Sequence, residues 1–77
     1  MKTTVLFFGQ LTDISGCASL EMAHQETVAM LKKNLYEKFP LLQGSKHIVA
    51  VNNKMVVEDE NIPENAIVAF MPPFSGG

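Results

Sequence analysis

Cys17, His24 and His47 are the residues most suited to nucleophilic chemistry, because a thiol attacks well only when a nearby base or positive field makes it a thiolate. Nothing in their spacing brings them together, so Cys17 reads as an ordinary turn residue and the histidines as surface or strand-edge positions. A lone cysteine forms no internal disulfide, and no Cys or His pair has a metal-ligand spacing; no metal and no bound cofactor are expected. The five glycines, at positions 9, 16, 44, 76 and 77, make no phosphate-cradling loop or dinucleotide fingerprint. The acidic run Glu58, Asp59, Glu60 with Glu64 could meet a basic partner, but charge clusters in loops are mostly solvated, and that reading is preferred.

The carboxyl end offers different chemistry. No ionisable side chain follows Glu64, so with Gly77 read as the natural terminus the last stretch carries one charge, its α-carboxylate. Moving a charged side chain into a narrow, poorly hydrated channel costs several kcal/mol, about 2 or more, and this tail has none to move. Pro72 and Pro73 stiffen the exit into an extended stem. Gly76 and Gly77 lack Cβ and reach conformations and approach distances closed to other residues. Ser75 and Gly76 are the threading segment, and the Gly77 carboxylate is the candidate reacting group. A terminal Gly-Gly alone is weak evidence, since chains often end in small residues. It gains force from the elements that would hold it.

Those elements follow from periodicity. Residues 3–8 are rich in β-branched and aromatic side chains and end at Gly9, which predicts a strand apolar on both faces. Gly16 marks a turn, and residues 19–23 alternate as a second strand in a hairpin with the first. Over residues 27–39 the period becomes helical: Val28, Leu31, Leu35 and Phe39 share one side, Lys32, Lys33, Asn34, Glu37 and Lys38 the other. Glu26 or Thr27 assists the start, and Pro40 forbids continuation past Phe39. Residues 47–51 form a third strand, and Asn52-Asn53 suits a tight hairpin into Met55, Val56 and Val57. Residues 58–65 read as a loop and 66–71 as the last strand, closed by Pro72-Pro73.

One main amphipathic helix against a mixed sheet of about five strands is an α+β architecture, the β-grasp arrangement of ubiquitin-like proteins, in a single domain over residues 1–77 with an exposed tail at 72–77. If the first and last strands run parallel side by side, Val5, Phe7, Val68 and Phe70 face the helix. Leu6, Phe8, Ala69 and Met71 then form an apolar patch on the opposite face. With 77 residues and 47% apolar composition the chain can build one core. A net charge of −2, with six lysines as its only basic side chains besides two histidines, gives no field to grip nucleic acid. No apolar run approaches bilayer length and no leader pattern opens the chain, so a cytoplasmic protein without a membrane partner is expected.

The whole chain resembles the small subunit of molybdopterin synthase, a family of ubiquitin-like sulfur carriers. The likeness lies in Val5-Leu6-Phe7-Phe8-Gly9-Gln10, in Ala50-Val51-Asn52, and above all in residues 66–77, which read Ala-Ile-Val-Ala-Phe-Met-Pro-Pro-Phe-Ser-Gly-Gly. Two departures stand out: Met71 occupies a frequent aromatic position, and Pro63-Glu64-Asn65 replaces an acidic, glycine-containing turn. The resemblance implies that a separate activating enzyme uses ATP to adenylate the Gly77 carboxylate. A sulfur nucleophile then displaces AMP, and the thiocarboxylate delivers sulfur to a pterin precursor. It implies a large synthase subunit that holds the pterin, two large and two small subunits in the assembly, and a small subunit that donates sulfur without a catalytic side chain. Phe8, Met71, Pro72, Pro73 and Phe74 are the expected docking surface for both partners in turn. Carriers for thiamine or tRNA thiolation, a ubiquitin-like modifier, and a plain interaction module are the alternatives.

Overall fold

The structure, a computed structural model, describes residues 2–56 and 60–73. Its elements are β1 (Lys2–Phe7), α1 (Leu11–Ser15), β2 (Ser19–Ala23), α2 (Val28–Lys38), α3 (Pro40–Gln43), β3 (Ile48–Val51), β4 (Lys54–Met55) and β5 (Ile67–Met71). The strands form one sheet in the order β2-β1-β5-β3-β4. β1 and β5 run parallel, with Val5 beside Val68 and Phe7 beside Phe70, and the other pairs are antiparallel. This is the expected mixed five-stranded sheet, with the first and last strands adjacent.

Strand alternation divides the sheet into two faces. Val5, Phe7, Val68 and Phe70 are buried with Leu11 of α1, Val28, Leu31 and Leu35 of α2, and Leu42 of α3 in one core. Each such side chain removed from water contributes about 1.5–3 kcal/mol. Phe7 lies tilted against its sheet neighbour Phe70 at 5.9 Å and joins the sheet to the helical layer by meeting Phe39 edge-on at 6.0 Å. Among the described residues no helix is long and apolar enough to cross a membrane.

The main helix starts where its cap chemistry allows. The Thr27 side chain accepts the Met30 N–H at 3.2 Å, satisfying one of the free donors of the first turn. The helix ends at Lys38, with Phe39 at φ −130° and ψ 83° carrying the break that Pro40 demands. Pro40 then does more than stop a helix. Its fixed φ and missing N–H suit the first position of a new one, and α3 begins there.

The short α1 was not legible as a helix. It has one turn and a half, no side-chain N-cap, and a C-cap at Gly16 with φ 77°. The hairpin after β3 places Asn52 and Asn53 at φ 51° and 70°, as a tight turn requires. Its second strand is shorter than periodicity suggests. β4 ends at Met55, although the Val56 N–H still reaches the Val49 carbonyl at 3.1 Å, and Val57 lies outside the described residues.

Candidate functional site

The face turned away from the helices carries Leu6 beside Ala69, Thr4 beside Ile67, Ile48 beside Met71, and Ala50 beside both Ala69 and Met55. Phe8 continues β1, and its N–H donates to the Phe70 carbonyl at 3.0 Å, so it comes alongside Met71 at the end of β5 from which Pro72 and Pro73 leave. Phe8 is 46% exposed, Ile67 49% and Met55 68%, while Leu6, Ile48, Ala69 and Met71 are half-buried. The result is an apolar surface running from Met55 and Ile67 to the root of the tail. Its charged pair, Lys2 and Glu21 at 3.6 Å, sits toward the start of β1, away from that root, and is solvated on both sides.

Of the residues singled out in the sequence, Phe8, Met71, Pro72 and Pro73 therefore lie together at one end of the sheet. Pro72 is half-buried and Pro73 exposed. Phe74, Ser75, Gly76 and Gly77 lie outside the described residues, as do Glu58 and Asp59.

Reading the sequence missed two parts of this surface. Ile67 follows from the alternation that gave Ala69 and Met71, but Met55 and Ile48 need the hairpin register to place them. The second omission is Gly9, where the backbone sits at φ 58° and a Cβ would fall 2.8 Å from Pro72 Cγ. Its signals in the sequence were a strand end and a place in the stretch that carries the family likeness, and neither pointed to Pro72.

The turn around Gly9 is held from three sides. The Phe8 carbonyl accepts the Leu11 N–H at 3.2 Å, and the Gly9 carbonyl accepts both the Thr12 N–H at 3.2 Å and the Thr12 hydroxyl at 2.8 Å. Leu11, fully buried, anchors the helix that makes these bonds. Thus α1 packs the turn after β1 against the first residue beyond β5.

The nucleophilic alternative finds no geometry. Cys17 and His24 flank opposite ends of β2, which strand rise separates by roughly 20 Å. His47 precedes β3, three strand spacings or about 14 Å across the sheet from β2. Its ring is already engaged: Nδ1 lies 2.7 Å from the Ser45 carbonyl and Nε2 3.0 Å from the Tyr36 hydroxyl. A carbonyl only accepts, so Nδ1 is the donor in its bond to Ser45. The ring also lies tilted against Phe70 at 5.3 Å, which makes His47 a packing residue. Cys17 is half-buried against the core. Among the described residues no group of three His, Cys, Asp or Glu could hold a metal ion.

The acidic segment has a structural use at its edge. The Glu60 carbonyl accepts the Val28 N–H at 3.0 Å, and the Ile62 N–H donates to the Glu26 carbonyl at 2.8 Å. These backbone bonds tie the loop to the start of α2.

Comparison with known proteins matches residues 5–77 to the ThiS family. The chain belongs to the ThiS family. It is 33% identical over 78 residues to the molybdopterin synthase sulfur carrier subunit of Escherichia coli (strain K12), covering 95% of this chain and 96% of that one. The resemblance read from the sequence is thus upheld at the level of the family. Among solved structures, a candidate molybdopterin converting factor subunit 1 from Pyrococcus furiosus superposes with a TM-score of 0.88 at 20% identity, over 96% of this chain and 99% of that one. SAMP1 from Haloferax volcanii follows with 0.83 at 19% identity, over the full length of both. One chain of the complex of subunits 1 and 2 of the molybdopterin-converting factor from Helicobacter pylori gives 0.74 at 21% identity, over the full length of this chain and of that one. At such identities the structures establish the shared ubiquitin-like β-grasp fold.

In the turn before β5, Asn65 stands at φ 61°, a conformation that glycine adopts freely and asparagine tolerates.

Proposed function

We propose that this chain is a sulfur carrier subunit of molybdopterin synthase, with the Gly77 carboxylate as the group that accepts and passes on sulfur. The observation that carries this reading is the end-to-end likeness to the E. coli sulfur carrier subunit. The apolar face at the root of the tail supports it, because it offers a docking site continuous with the segment that must enter a partner.

In this reading the chemistry belongs to the backbone terminus. A carboxylate is anionic and has no good leaving group, so it must first attack the α-phosphorus of ATP on the activating enzyme and expel pyrophosphate. A sulfur nucleophile then adds to the acyl adenylate and AMP departs. The resulting thiocarboxylate is an anion with its charge on polarizable sulfur, and it needs no base beside it to attack the pterin precursor. ATP is the activating enzyme's substrate and is not held by this chain.

The large synthase subunit is the second partner, and the pairing of subunits 1 and 2 in the Helicobacter pylori complex supports that choice. Phe8, Met71, Pro72, Pro73 and Phe74 form the docking surface toward it. Cationic groups of the large subunit would receive the single terminal charge, and an assembly of two large and two small subunits, in the cytoplasm, completes the proposal.

Gene deletion tests the product. A strain lacking this chain is expected to lose molybdenum-enzyme activity and to regain it on complementation. Normal activity in the deletion strain, with no second copy of the gene, would redirect the proposal to another thiolated product or to a modifier.

A further inference from the structure

We infer that Gly9 is a positioning residue for the tail, holding Pro72 at the angle from which the reactive end is presented to a partner. The inference rests on the sulfur-carrier reading above but concerns a residue that takes no part in the chemistry. A Cβ at Gly9 would stand 2.8 Å from Pro72 Cγ and 3.4 Å from Pro72 Cδ. Nonbonded carbons are comfortable at about 3.5–4.0 Å, so a Cβ at this position presses on the Pro72 ring at Cγ, which must shift to admit it. The backbone cannot swing away to make room. Gly9 is at φ 58°, and the three bonds from Leu11 and Thr12 hold its turn to α1.

The partner in this contact is as constrained as the glycine. Pro72 has a fixed φ and is followed by Pro73, so a displacement at its ring is relayed along the stem instead of being absorbed by one loose torsion. A misplacement of about 1 Å can cost on the order of 100-fold in rate when the reacting group must meet its target in a fixed geometry. Phe8 and Met71, held by the pairing of β1 with β5 and by the Phe8 N–H bond to the Phe70 carbonyl, are left in place.

A second glycine provides the control. Gly16 also sits in the left-handed region, at φ 77°, but a Cβ there meets nothing within 4 Å. A substitution at Gly16 therefore imposes comparable backbone strain without touching the tail.

The test measures thiocarboxylation of the full chain by its activating enzyme, with thermal unfolding followed in parallel. Gly9→Val is expected to lower kcat by about 10- to 100-fold while KM changes less than about threefold, and Gly9→Ala to lower kcat by about threefold. Gly16→Val shares the loss of thermal stability but keeps kcat within about twofold. Equal kcat for the Gly9→Val and Gly16→Val proteins overturns the inference. A wild-type chain that acquires no sulfur overturns the functional reading, and the positioning claim is then decided by NMR alone. The claim requires a strong cross-peak between Gly9 Hα and Pro72 Hγ, and shifted resonances beyond Pro73 in Gly9→Val. Absence of either overturns it.

Discussion

Phe8 is where the proposed docking surface is most open to measurement. It is 46% exposed, and since a phenylalanine presents roughly 200 Å² when fully accessible, about 90 Å² remains for a partner to cover. At about 25 cal/mol per Å², covering that area contributes about 2 kcal/mol, or close to 30-fold in affinity. Phe8→Ala is therefore expected to weaken binding to the large subunit by about 30-fold, as read by titration calorimetry. The fold should hold, because the Phe8 N–H bond to the Phe70 carbonyl is made by the backbone and survives the substitution. Leu41→Ala is the matched control. Leu41 is 74% exposed on α3, in the helical layer, and its loss should leave affinity unchanged. An affinity for the Phe8→Ala protein within about twofold of wild type would mean that the partner does not cover the tail root, and the proposed surface would be wrong.

Three further outcomes follow from the packing. Leu11→Ala should destabilise the protein by about 2–5 kcal/mol in urea unfolding, because Leu11 is fully buried and anchors α1; a loss under about 1 kcal/mol would deny that helix its anchoring role. Asn52→Ala removes the Oδ1 acceptor of the Ile67 N–H, 3.0 Å away, and places alanine at φ 51°, so it should cost about 1–3 kcal/mol. Asn52→Gly keeps the turn and should be the milder change; the reverse order would show that turn conformation is not what Asn52 supplies. Deleting Gly77 should leave the melting temperature and large-subunit affinity close to wild type while abolishing sulfur loading, and a truncated protein that still loads would exclude the terminal-carboxylate mechanism.

The parts of this fold that could be read from the sequence are those with a period or a punctuation mark. Alternation in residues 3–8 and 66–71 gave both the strands and their faces, because one residue of slip would turn Phe7 and Phe70 out of the core. Val28, Leu31 and Leu35 gave the helix, and Pro40 its end. The missed elements are too short to carry a period. Leu11 and Ile14 offer one i, i+3 pair, and Gln10 caps α1 without a side-chain bond, so the only cue was Gly16 closing the turn. Pro40 is ambiguous by nature, since the same fixed φ that ends one helix suits the start of the next.

The candidate site was legible to a similar degree. Phe8 and Met71 came from strand alternation once the two strands were paired in parallel. Met55 and Ile48 belong to the same face only through the register of β3 with β4 and β5, a long-range fact that no local pattern states. Gly9 marked a strand end in the sequence. Its contact with Pro72, far along the chain, became visible only when β1 and β5 lay side by side. Cys17, His24 and His47 were set aside for lack of spacing, and the distances across the sheet bear that out.

The central claim is that the backbone carboxyl of Gly77 is the reagent, and intact mass spectrometry of the chain after co-expression with an activating enzyme tests it most directly. The account predicts a species in which one terminal oxygen has been exchanged for sulfur, mapped by fragmentation to Gly77 and absent when the enzyme is omitted. A chain recovered unmodified in the presence of active enzyme, ATP and a sulfur donor, or carrying its added sulfur on Cys17 instead, would contradict it.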